Sequence, residues 1–277
     1  MKEVYFDTNI YTHIYNRKNR DSEITEEDIN KLLALKRADK IRILSSVTVL
    51  EETIGATLSA PKEAVGRLKL IRKLAKRKRI IQENTGFKED IFCYARGEKP
   101  HRPFISPPPE MKEVLTNPNH FDLNKIAQDT KAKIEKFHKQ MSDAYKTHIE
   151  PLAAPIRKQK LQPSFQEYWG TMRIAYAEEL AKQAGVLEQC RERGLEGLLA
   201  IRSIHIAAFA NTSLVYANTY EGRTQKKSDS RDMHHAVLSS ATDAFITDDK
   251  NLRRILTRLP IQGYEVMSFK ELLSRFH

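Results

Sequence analysis

The stretch Ala241-Thr242-Asp243-Ala244-Phe245-Ile246-Thr247-Asp248-Asp249 decides the fold. Its centre, 244–247, is a short apolar run of strand length that ends on two adjacent acids. Before it, Arg231 to Ala241 has helical patterning. After it, Leu252 to Leu259 reads as a helix and Glu265–Val266–Met267 as a last short strand. The N-terminal part has the same grammar. Val4–Tyr5–Phe6 is a short buried strand ending at Asp7. A helix with Ile10 and Ile14 follows, then a charged loop, then a helix with Ile29, Leu32, Leu33 and Leu35. Thr25-Glu26-Glu27-Asp28 resembles a capping box with Asp28 in the place of the usual Glu. Ile41–Leu44 is a second strand, followed by Ser45, Ser46 and a helix carrying Val49, Leu50, Ile54 and Leu58. Strand and helix alternate at both ends of the chain, which predicts an α/β domain on a central parallel sheet.

The middle is different. Leu68 to Lys78 is a strongly basic helix and Ile80–Ile81 a third β-like run. From about Lys99 to Pro118 the chain is proline-rich and is expected as loop. Phe121 to Ile149, Phe165 to Gly185 and Leu195 to Tyr220 are helical in pattern with no β-like run between them. This predicts a core from 1–90 and 228–277, interrupted by a mostly helical insertion over 91–227.

The chain has 277 residues and an ordinary globular balance, 30% charged and 40% hydrophobic, so a sizeable core is expected. Lys and Arg outnumber Asp and Glu by 47 to 36, a formal charge of +11 that favours polyanions by long-range attraction. Cys93 and Cys190 lie far apart and belong to no C-x-x-C pair, which argues against a zinc site or a disulfide framework. Reduced cysteines suit the cytosol. The opening MKEVYFDTN does not read as a signal peptide, and the most apolar stretch, Ile206 to Ala210, is too short for a bilayer. A cytoplasmic protein without a membrane partner is expected.

Four carboxylates fall at the end of a predicted strand or on the helix beside one: Asp7, Glu51, Asp232 and Asp249. In a parallel sheet the carboxyl ends of strands share one rim. Acids gathered there repel one another, and oxygen-rich clusters of this kind suit Mg²⁺ or Mn²⁺. Each acid also has a plainer reading. Asp7 is placed to cap the next helix. Glu51 borders the Leu50 face, with Glu52 as a rival read as a solvated residue. Asp232 suits a helix dipole in a first turn, beside a face made small by Ala236, Ser239 and Ser240. Of Asp248 and Asp249, one caps the following helix and the other points to the rim. Asp229 is an accessory ligand or an N-cap, and Asp243 a turn residue.

Taken together, these residues resemble the PIN-domain nucleases. FDTN at Phe6–Asn9 is similar to the first motif of that family. S-x-x-T-x-x-E stands as Ser45 or Ser46, Thr48 and Glu51; D-x-x-x-A as Asp232 and Ala236; and the closing A-x-D-x-F-x-T-x-D as Ala241, Asp243, Phe245, Thr247 and Asp249. The resemblance covers about 1–82 and 228–277 and leaves the middle unaccounted for. It implies a PIN-like three-layer α/β/α fold with a helical insertion. The implied activity is Mg²⁺- or Mn²⁺-dependent hydrolysis of phosphodiesters, with Asp7, Glu51, Asp232 and Asp249 as ligands and Asp248 as the alternative to Asp249. Asn9, Ser46, Thr247 and Asp229 would support the ligands or touch substrate. The family tilts the substrate toward single-stranded RNA, as a ribonuclease with a toxin-like role, and brings a protein antitoxin or a homo-oligomer into view as partners.

Arg223, Lys226, Lys227 and Arg231, just before Asp232, and Arg253 and Arg254, just after Asp249, are the best-placed phosphate contacts. Lys69, Arg72, Lys73, Lys76 and Arg79 share one helical face that serves solvation as readily as binding. Tyr168 and Trp169 have the chemistry to stack on bases, but such residues are more often core. His234 and His235 lack partners at metal-ligand spacing and read as packing or surface residues. Two other readings compete. A phosphatase resembling the haloacid dehalogenases needs an acid two residues after its nucleophile, where this chain has Asn9. A non-catalytic RNA-binding PIN module would not need four acids.

Overall fold

A computed structural model describes residues 1–17, 24–75, 80–81, 85–100, 104–105, 109–120, 122–144, 162–224, 226 and 228–276. The chain begins with strand β1 (Lys2–Phe6) and helices α1 (Thr8–Asn16) and α2 (Glu26–Arg37). It continues through β2 (Ile41–Leu44), α3 (Val47–Gly55) and α4 (Pro61–Leu74). The middle holds β3 (Ile80–Ile81), α5 (Thr85–Arg96), β4 (Phe104–Ile105), α6 (Pro109–Thr116), α7 (Leu123–Ala144), α8 (Phe165–Gln183), α9 (Leu187–Arg193), α10 (Leu195–Leu199) and α11 (Arg202–Tyr220). The chain then returns to the sheet through α12 (Asp229–Ser239), β5 (Ala244–Ile246), α13 (Lys250–Leu256), β6 (Glu265–Met267) and α14 (Phe269–Arg275).

The main sheet has the order β2-β1-β5-β6 and is parallel throughout. This is the expected α/β class, and it is compatible with a three-layer α/β/α arrangement. Val4, Tyr5 and Phe6 of β1 and Ala244, Phe245 and Ile246 of β5 are fully buried. A parallel strand covered on both faces reads as a continuous apolar run for this reason. Register pairs Phe6 with Ile246 and Ile246 with Met267, so β1, β5 and β6 end level with one another. Two hydrogen bonds carry the ladder one step further, from Asp7 N to Ile246 O and from Thr247 N to Met267 O, both 3.0 Å. Asp7 and Thr247 are therefore the first residues past the sheet on adjacent strands.

Local signals account for the helix starts. Thr25 and Asp28 form the expected capping box at α2. Ser46 caps α3, its hydroxyl accepting from Val49 N at 3.2 Å. Ile80–Ile81, expected as a further strand, pairs antiparallel with β4. A single parallel bridge from Ile81 to Ser46 joins this ribbon to the β2 end of the main sheet.

The proline-rich segment expected as loop contains α6 and β4. Pro109 is the first residue of α6, where a missing N–H costs the helix nothing. Val114 is then carried into the core. Among the described residues of 91–227, buried apolar side chains contribute to two clusters. Val114, Leu123 and Ala127 join the core around the sheet. Ile91, Trp169, Cys190, Leu198 and Phe209 form a second cluster. Helix α11 serves both, giving Ile206, Ala210 and Leu214 to the first and Ile204, Ala208 and Phe209 to the second. Among the described residues, no helix is long and apolar enough to cross a membrane.

Candidate active site

Asp7 leaves β1 in an extended conformation at the N-cap of α1, yet its side chain makes no cap hydrogen bond. Its Oδ2 instead accepts from Thr247 Oγ1 at 2.7 Å and from Asn9 Nδ2 at 2.6 Å. Asn9 Nδ2 also donates to Thr247 Oγ1 at 3.1 Å. Asn9 and Thr247, expected as supporting residues, thus fix the rotamer of Asp7. Burial raises the Asp7 carboxyl above the usual range, His235 and the Thr247 hydrogen bond oppose that, and the Glu52 charge adds to it.

The α3 carboxylate that reaches Asp7's surroundings is Glu52, where the sequence reading favoured Glu51. Glu52 lies one turn after Thr48 and Val49, both buried, and Glu51 one turn after half-buried Val47 and buried Thr48. Glu52 Oε2 accepts from Thr8 Oγ1 and from His235 Nε2, the latter at 3.1 Å. Its Oε1 lies 2.8 Å from Arg231 Nε. That contact is an ion pair by distance, but its alignment gives Oε1 no hydrogen bond. Burial pushes Glu52 up, but the positive charges of His235 and Arg231 win and hold it at about 2.

His235, expected as a packing or surface residue, is 2% exposed and sits between the acids. Its Nε2 is 3.8 Å from Asp7 Oδ1, and its Nδ1 is 2.6 Å from the Tyr5 hydroxyl. Tyr5 in turn lies 2.9 Å from Ser46 Oγ. Ser46, fully buried, therefore reaches His235 through Tyr5. Burial would lower His235, but Glu52 first, then Asp7 and Asp232, raise it to about 9. As an imidazolium it donates from both nitrogens.

Asp232, in the first turn of α12, is raised to about 7 by burial first and then by Asp7 and Asp249. The small face behind it is filled: Ala236 and Ser239 are fully buried. Asp249 caps α13 through Oδ1, accepting from Asn251 N at 2.8 Å and Leu252 N at 2.9 Å. It is thus both the cap and the acid beside Asp232. Asp248 turns elsewhere. Its Oδ1 accepts from Phe269 N at 3.0 Å, at the start of α14, and its Oδ2 is 2.9 Å from His13 Nδ1. It links α1 and α14. Asp229, expected as an accessory or supporting residue, is 1% exposed and paired with Arg223.

The basic residues expected on the backbone path are largely held by the protein. Arg223 pairs with Asp229, Arg231 with Glu52 and, weakly at 3.7 Å, Arg254 with Glu221. Arg253 Nη1 donates to Thr247 O at 2.7 Å, bracing the strand end. Lys226 is exposed; Lys227, Lys76 and Arg79 lie outside the described residues. On α4, Arg72 donates to Thr116 O at 2.7 Å. Trp169 belongs to the second core, edge-on to Phe209, and Tyr168 packs on Tyr216 and Tyr220.

Among the described residues, no three His, Cys, Asp or Glu side chains converge as a ready-made metal group. What Asp7, Asp232 and Asp249 share is a field, registered in the shift of Asp232. Asp7, Asp232 and Asp249 offer only oxygen donors, the kind that suits a hard divalent cation such as Mg²⁺ or Mn²⁺. No protein-family model, curated protein or solved structure matches this chain.

Proposed function

We propose that the protein is a Mg²⁺- or Mn²⁺-dependent nuclease of PIN-like architecture that hydrolyses phosphodiester bonds in single-stranded RNA. The observation that carries this reading is the carboxyl edge of adjacent strands β1 and β5, where Asp7 is the first residue past β1 and where Asp232 and Asp249 line one small cavity; burial, Asp7 and Asp249 raise the Asp232 carboxyl. Carboxylates that share one edge repel one another, and a cation between them relieves that repulsion. Asp7, Asp232 and Asp249 are the residues that would hold it. A bound divalent ion supplies Lewis-acid activation of phosphate and of water.

The remaining work falls to the chain. Asn9 and Thr247 hold Asp7 to one rotamer, so that little reorganisation accompanies substrate binding. Glu52 is held by His235, Arg231 and Thr8, which makes it a scaffold for Asp7 rather than a ligand. The excess of 47 Lys and Arg over 36 Asp and Glu draws the polyanion in. A toxin-like role, with a protein antitoxin or a second copy as partner, belongs to the same reading.

The test is a panel of end-labelled single-stranded RNA and DNA with Mg²⁺, Mn²⁺ or chelator. RNA cleavage that requires the metal and is lost in Asp7→Asn is expected. Cleavage that survives full chelation would defeat the reading.

A further inference from the structure

Arg223 and Asp229 form a largely buried ion pair, their side chains 12% and 1% exposed. Two N–H groups of the Arg223 guanidinium donate to the two Asp229 oxygens. Arg223 Nη1 also donates to Asn218 Oδ1 at 3.1 Å. The Lys226 backbone N–H donates to Asp229 Oδ2 at 2.7 Å. One carboxylate thus holds both the Arg223 side chain and the Lys226 backbone. Gly222, at φ +66°, makes the left-handed turn that brings Arg223 out of α11. Arg223 N then closes the helix end on Ala217 O at 3.1 Å.

Arg223 and Lys226 border the acids. Arg223 and Lys226 line one small polar cavity together with Asp232, Asp249 and Asn251. Arg223 feels Asp229 most strongly, and Asp232 and Asp249 as well. A guanidinium has five N–H groups in a rigid fork, and three of those on Arg223 are committed to Asp229 and Asn218. The fork is therefore fixed in direction. A cation locked beside acids that would carry a metal is the geometry that seats a phosphate.

We propose that Asp229 is a positioning residue: it holds Arg223 as a seat for one backbone phosphate of the RNA strand. The inference rests on the nuclease reading, and its test is chosen to stand apart from it. The sign of the effect is what separates it from a simpler view. If Asp229 were merely an acid near the strand, neutralising it would tighten binding. If it positions Arg223, neutralising it weakens binding.

The experiment measures fluorescence anisotropy of a labelled single-stranded RNA on the full chain, in chelator and in the Asp7→Asn background so that the RNA stays intact. A salt series gives the slope of log affinity against log salt, and thermal melting checks folding. Arg223→Ala should weaken binding and reduce the slope by about 0.7, the signature of one lost phosphate contact on a single strand. Asp229→Asn should weaken binding in the same direction, and the double variant should bind no worse than Arg223→Ala alone. Arg223→Lys, which keeps the charge but loses the two-point grip, should stay close to Arg223→Ala. Tighter binding by Asp229→Asn, full recovery by Arg223→Lys, or no RNA affinity in the Asp7→Asn parent would each overturn the proposal. RNA that binds with these signs but is never cleaved by the unaltered chain with metal would overturn the nuclease reading alone.

Discussion

His235 donates to Glu52 across 3.1 Å, with the two side chains 2% and 11% exposed. The pair lies beside Asp7 and is completed by Tyr5 behind the ring and Arg231 beyond the carboxylate. It sets the electrostatic frame of the rim: Glu52 is neutralised inside the protein, while burial raises Asp7 and Asp232 beside it.

This pair predicts a stability window in pH. Glu52 is held below its ordinary 4.5, at about 2, so its contribution is complete above 4.5 and is lost as pH falls toward 2. His235 is raised above its ordinary 6.5, to about 9, so its contribution is complete below 6.5 and is lost as pH rises toward 9. The pair therefore stabilises most between pH 4.5 and 6.5. Urea midpoints measured across pH should form a plateau there. Glu52→Gln should flatten both shoulders and cost on the order of 3–5 kcal/mol at the plateau, since it leaves a buried imidazole without its counter-charge. An unchanged pH profile in the variant would contradict this.

Asp232 predicts the opposite kind of effect. Its carboxyl is raised from 3.8 to about 7, so the folded state holds a proton that the unfolded state releases between those values. It costs nothing below 3.8, where both states are protonated, and becomes a penalty as pH rises to 7. Asp232→Asn should therefore stabilise the metal-free protein above pH 7 by about 1–3 kcal/mol. Calorimetry in chelator reads this directly. Mg²⁺ or Mn²⁺ should raise the melting temperature of the unaltered chain and leave the variant almost unmoved. Destabilisation of the metal-free variant would count against the field attributed to Asp7 and Asp249.

The adjacent acids should separate cleanly. Asp248→Asn removes a charge from the His13 contact and weakens the start of α14, at a cost of about 1–2 kcal/mol, with Mn²⁺ affinity retained. Asp249→Asn should keep much of its cap and lose Mn²⁺ affinity. Isothermal titration of Mn²⁺ into both variants decides the matter; loss of affinity in Asp248→Asn would reinstate it as a ligand.

How much of this was legible in the sequence depends on which physical quantity set each feature. The strands β1 and β5 and the capping box at α2 were readable because burial and capping write themselves into neighbouring residues. Asp7, Asn9 and Thr247 were readable for the same reason, as the first polar residues past an apolar run. Glu51 and Glu52 differ by one helical step, about 100° of rotation. Which of them faces Asp7 is set by how α3 docks against α1 and α12, and nothing local encodes that. Asp248 and Asp249 likewise depend on the backbone's path after β5. His235 lacked a signal because its partners, Tyr5 and Glu52, lie 230 and 183 residues away. The helix α6 was hidden by prolines that read as breakers until Pro109 proved to be a first-turn residue.

Anomalous diffraction from a crystal soaked in Mn²⁺ tests the central claim most directly. The account predicts a manganese peak bridged by oxygens of Asp7, Asp232 and Asp249, with Glu52 still on His235 and Asp248 still on Phe269 N. A map with no peak at that rim and the three carboxylates turned away from one another would contradict it.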